Sequence, residues 1–145
     1  VHELMNNADI RIVSGGTTSQ IVARELGVEV KSSTEIYDKE VPPIAYIQGV
    51  DLVTEGVLTL SKTIDRLKSL SKSLDSDIFK AKDGASQMAK LLYSASHIKL
   101  LVGRSLNIAN AESSFQRDLE LRLHVIGELE KILVKLGKIV TVEYY

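Results

Sequence analysis

A chain of 145 residues, 44% hydrophobic and 26% charged, has the balance of one globular domain with a buried core, not of a disordered segment. Its net charge of −1, with five Tyr, two Phe and no Trp, gives neither a basic field nor stacking rings, which argues against nucleic acid as a partner. Cysteine is absent, so disulfides, thiolate catalysis and cysteine-ligated metals are excluded, and no apolar run approaches the roughly 18 residues that span a bilayer.

No signal peptide opens the chain, so a cytoplasmic location is expected, with no membrane partner. Val1 stands where a complete chain carries Met, which points to a processed end or a piece of a longer protein. The polar start is followed by a β-branched run, 10–13, that reads as a strand ending at Ser14-Gly15-Gly16. Thr17 or Ser14 then caps a helix to Leu26, with Ile21, Val22 and Leu26 as its apolar face and Gly27 as its left-handed stop. Strand, glycine turn and helix form the opening half of a βαβ unit.

Residues 28–30 alternate apolar and acidic and read as a short second strand. Residues 31–40 are polar, and Pro42-Pro43 can continue neither a helix nor a central strand, so this stretch is a surface connection. A third short strand is expected over 44–47, ended by Gln48-Gly49. From Asp51 to about Leu70, Val53, Val57, Leu60, Ile64 and Leu67 recur at steps of three and four, the stripe of an amphipathic helix. Residues 69–84, rich in Ser, Lys and Asp, read as a frayed helix end and a mobile loop.

A second helix over 85–95 turns Met88, Leu91, Leu92 and Ala95 inward. Residues 97–103, with Ile98, Leu100, Leu101 and Val102, read as a buried parallel strand that again ends in glycine. Ser113 or Ser114 caps a long helix to Leu136 on a stripe of Ile126, Leu129, Leu133 and Leu136, and 138–145 closes the chain with Ile139, Val140 and Val142. Strand, glycine and helix recur twice in this order. The pattern predicts a single α/β domain over 1–145, a layered sandwich with a mostly parallel sheet of about four strands flanked by helices.

The strongest site signal is Ser14-Gly15-Gly16-Thr17-Thr18-Ser19. Two glycines let backbone approach a ligand, the first helical turn leaves amides unpaired, and the helix dipole favours negative charge. The run is neither GxGxxG nor GxxxxGK[ST], so no standard nucleotide fingerprint is present, and such turns also use glycine for structure alone. After the strand over 97–102, Arg104, Asn107 and Asn110 lie where ligands sit in open α/β sheets. If that strand neighbours 10–13, Arg104 faces the glycine turn and pairs with an anion; otherwise the loop is an ordinary polar turn. Thr54 and Glu55 either line the rim of the same crevice or simply suit a helix start. Asp83-Gly84 reads as a turn or N-cap and not as a metal site, since no Asp cluster completes it. His2, His97 and His124 share no ligand spacing, so no metal is expected.

The run Val13-Ser14-Gly15-Gly16-Thr17-Thr18-Ser19-Gln20-Ile21-Val22-Ala23-Arg24-Glu25-Leu26-Gly27 resembles the start of a C-terminal region in certain bacterial proteins. These are phosphatases of the sporulation stage II protein E type, a branch of the PPM metal-dependent serine/threonine phosphatases. Val41-Pro42-Pro43, the run from Gly49 through Val53-Thr54-Glu55-Gly56 to Leu60, Leu101-Val102-Gly103 with Asn107, and the ending from Leu136-Gly137 to Tyr144 match in order. The loop departs from the family's usual Asn-Pro-Ala-His, reading Asn107-Ile108-Ala109-Asn110.

The resemblance implies an accessory domain that follows a phosphatase domain in the same protein. That missing partner domain would carry the divalent metal and its aspartates; no cofactor is assigned to this chain. Two functions are expected from the sequence: a regulatory domain sensing a small anion at residues 14–19, or an interaction module that forms a homodimer. The second would use the helix over 114–136, where Leu119, Leu121, Leu123 and Val125 add apolar residues beyond the core stripe.

Overall fold

Short β-branched runs and the glycines after them shape the first half of the chain. In the computed structural model, which describes residues 1–73, 76–104 and 112–145, helix α1 (His2–Asn7) precedes strand β1 (Ile12–Ser14). Helix α2 (Gly16–Leu26) follows, and Gly27 stops it at φ 68°, the left-handed conformation expected there. Strands β2 (Lys31–Ser32), β3 (Ala45–Tyr46) and β4 (Leu52–Thr54) come next, then helices α3 (Val57–Lys72), α4 (Ser76–Lys80) and α5 (Gly84–Ser94). Strand β5 (His97–Val102), the long helix α6 (Glu112–Lys135) and strand β6 (Ile139–Tyr144) complete the chain. Among the described residues no helix is long and apolar enough to cross a membrane.

The fold is α/β, but its main sheet is mixed. The order is β1-β4-β3-β2, parallel only where β1 meets β4, and antiparallel at β3–β4 and β2–β3. The expectation of a mostly parallel sheet fails because β2, β3 and β4 follow one another without the crossover helices that parallel pairing needs. β5 and β6 do pair in parallel across the α6 crossover, but as a separate two-stranded sheet.

Three element boundaries move for identifiable reasons. Residues 52–54 form a strand and not the start of a helix: all three are buried, and Leu52 and Val53 point into different cores, as alternation across a sheet requires. Val28 and Val30 contribute side chains to the core, while the strand hydrogen bonds fall one step later, on Lys31 and Ser32. Part of the expected loop over 69–84 is helical, since α3 runs on to Lys72 and α4 occupies Ser76–Lys80.

Two apolar clusters sandwich the main sheet. Ile12 and Leu52 face the larger one, filled by Leu60, Ile64 and Leu67 of α3, Met88 and Leu92 of α5, and Val125, Leu129, Ile132 and Leu133 of α6. Val13 and Val53 face the smaller one, closed by Val22 and Ala23 of α2 with Ile47. The helical stripes predicted for α3, α5 and α6 bury in large part, but Val53 belongs to β4 and the other core, and Val125 and Ile132, outside the predicted stripe of α6, are buried as well. On the outer side of β5–β6, the Lys99 ammonium lies 2.8 Å from both Glu3 of α1 and Glu143, and its hydrogen bonds hold both carboxyls below the ordinary carboxylate value.

Candidate functional site

β1 and β4 lie side by side and parallel, with Ser14 opposite Thr54. The helices that follow them leave toward opposite faces of the sheet, α2 to the smaller core and α3 to the larger. Divergence of this kind, beyond the carboxyl ends of adjacent parallel strands, is the place where open α/β sheets bind ligands. Both helix starts border it. A Cβ built on Gly56 would lie 3.8 Å from the Cα of Gly15, so the two glycine N-caps nearly touch.

Hydrogen bonds across this corner sort the predicted site residues into two groups. The Gly15 amide donates to the Thr54 carbonyl (2.9 Å), the Ser14 hydroxyl donates to the Glu55 carbonyl (3.1 Å), and the Thr54 hydroxyl donates to Ser14 Oγ (3.3 Å). The Ser19 hydroxyl donates to the Gly15 carbonyl at 2.7 Å, one turn back. Ser14, Ser19 and Thr54 therefore hold the two loops together; Thr54 and Ser19 are buried. Gly16, Thr17 and Thr18 are exposed, and their amides are the ones a first helical turn leaves without an acceptor. Neither Thr17 nor Ser14 caps α2: Gly15 is the N-cap and no side chain bonds the free amides. Glu55, also exposed, brings a carboxylate to the rim.

Arg104 is not part of this corner. β5 pairs with β6 and not with β1, so the neighbour relation that would aim Arg104 at the glycine turn is absent. Its amide donates to the Tyr145 carbonyl at 2.9 Å, and its guanidinium carbon sits 5.4 Å from the centre of the Tyr144 ring. Asn107 and Asn110 lie outside the described residues. Among the described residues no group of three or more His, Asp or Glu is placed to hold a metal.

Asp83 caps α5, as its sequence position predicts, with its carboxylate accepting the Ser86 amide at 3.0 Å. What sequence reasoning missed is its partner. Arg66 reaches 3.7 Å from the same Asp83 oxygen, bonds Asp38 at 3.0 Å and donates to Ser86 Oγ at 3.3 Å. The available signal was a pair of cations one turn apart, Lys62 and Arg66, beside the buried stripe of α3. Replacing Asp83 with Ala should lower stability by about 1–2 kcal/mol in urea unfolding, whereas Asp83→Asn, which keeps the capping oxygen, should retain most of it. Equal losses for both would show that charge, and not the cap, matters.

The chain is thus a mixed α/β domain in which two helices with glycine N-caps diverge from adjacent parallel strands. No protein-family model, curated protein or solved structure matches the chain.

Proposed function

We propose that this chain is a regulatory, ligand-sensing accessory domain of a sporulation stage II protein E-like serine/threonine phosphatase, and that it binds a small anion between α2 and α3. The observation that supports binding is the divergence of two helices from adjacent parallel strands, which leaves the exposed amides of Gly16, Thr17 and Thr18 beside the Gly56 helix start. Two dipoles and unpaired amides favour negative charge there. The parentage rests on the residues that resemble that region, above all 13–27 and 49–60. In this reading the phosphatase domain of the same protein is the partner that receives the signal, within the cytoplasm.

Isothermal titration with inorganic phosphate and a panel of nucleotides and sugar phosphates tests the binding half. Wild type should bind at least one, Gly15→Ala should weaken binding about tenfold by distorting the amide array, and Glu55→Gln should tighten it by removing an opposing charge at the rim. Absence of heat with every anion would overturn the assignment. The rival interaction reading has its own support, because Leu119, Leu121 and Leu123 on α6 stay wholly or partly exposed. Val125, counted with them from the sequence, is instead in the core. A dimer in sedimentation at micromolar concentration, without anion binding, would favour that rival.

A further inference from the structure

A turn between antiparallel neighbours needs only about two to five residues, yet β2 and β3 are joined by residues 33–44. The ends of this connection are tied, with the Ser33 amide donating to the Ile44 carbonyl at 2.9 Å, so it has the closed base of an Ω-loop. Val41 is buried at 3% exposure, Pro42 and Pro43 are half-buried and Ile44 packs on the larger core, whereas Ile36 and Tyr37 stand in solvent. The earlier part of the loop is held by ion pairs. Asp38 bonds Arg66 at 3.0 Å and Glu40 bonds Lys62 at 2.9 Å, two contacts to successive turns of α3. Between the loop and the helices lies a solvent-open groove of about 430 Å³, lined by Tyr37 and Asp38 of the loop, Arg66, Asp77, Lys80 and Asp83.

We infer that residues 33–43 are a hinged flap, latched to α3 by Arg66 and Lys62, whose movement widens the groove between itself and helices α3 to α5. The physical grounds are three. Segments with few buried apolar contacts open at lower cost than the core they rest on. Partly exposed ion pairs are individually weak and screened by salt, so the latch releases without disturbing the helices. Pro42-Pro43 fixes two backbone φ angles next to the hinge, so opening is concentrated in the residues before them and loosens the turn in which the Val41 amide bonds the Asp38 carbonyl.

Arg66 suits the latch because it is already held on the helix side. Its bond to Ser86 and its proximity to Asp83 keep the guanidinium in place when Asp38 leaves.

Amide hydrogen exchange, resolved by NMR on the whole chain, tests the flap. The Val41 amide, bonded to the Asp38 carbonyl at 3.1 Å, reports on the loop, and the Ser33 amide reports on the hinge. In Asp38→Asn/Glu40→Gln, which keeps shape and removes charge, Val41 should exchange roughly three- to tenfold faster, with Ser33 and the α3 and α5 amides unchanged. Wild type in about 1 M NaCl should move the same way. Unchanged exchange at Val41 would overturn the proposal, and so would an equal acceleration through α3 and α5, which would make the pairs part of the core's own stability.

Discussion

Leu133→Ala is expected to remove about 3–4 kcal/mol of unfolding free energy and to lower the melting temperature by about 10 °C. Leu133 is 0% exposed and sits where α6 packs on α3, within the cluster that also holds Leu67, Leu129 and Ile132. Alanine keeps the helix, since it is the best helix former, so the loss comes from transfer free energy and from the cavity left behind. Close-packed surroundings relax only partly, and here the facing residues are anchored on three helices. Leu121→Ala is the control: Leu121 is 51% exposed on the same helix and should change stability by no more than about 0.5 kcal/mol. Urea titration of the two variants checks the claim, and similar values for both would show that α6 is not packed as described.

Gly15→Ala and Gly16→Ala should act in opposite directions although the residues are adjacent. Gly15 has φ 107° and ψ 139°, a region almost reserved for glycine, so a Cβ there is strained whatever space surrounds it. The cost should be about 1–3 kcal/mol. Gly16 is the first residue of α2, and a Cβ built on it meets nothing within 4 Å. Alanine at that position restricts the unfolded chain and should stabilise by about 0.4–1 kcal/mol. Chemical denaturation of both variants reads the sign directly. The same pair carries a functional contrast: Gly15→Ala reorients the first amides of α2, while Gly16→Ala leaves them in place, so anion binding should fall only in the former. If Gly15→Ala proves neutral, the tight turn linking β1 to α2 is not as drawn.

The two glycines looked alike in the sequence, as two members of one permissive run. Only the backbone distinguishes the one that must be glycine from the one that need not be. The same holds for the hydroxyls of 14–19. As residue types they are all donors, but Ser14 and Ser19 bond neighbouring carbonyls, and Thr17 and Thr18 alone remain at the surface. Arg104 shows the limit from the other side: its place after a strand was legible, but which strand lay beside it was not. The Arg66 latch joins residues from three separate stretches, and no local pattern reports such a meeting.

Periodicity along the chain was enough to place four helices and most of their buried faces, the strand over 97–102, and the left-handed stop at Gly27, although it began α3 at Asp51, ahead of residues that form a strand. These depend on spacing and backbone sterics within about ten residues, and so they are written locally. The pairing of β1 with β4, the splitting of the strands into two sheets, and the divergence of α2 and α3 were decided by tertiary packing. Strand partners are chosen by which faces can be buried together, and Leu52 and Val53 became a strand because each had a separate core to enter. The meeting of the two glycine helix starts follows from that choice, since it lies between elements and no single element contains it.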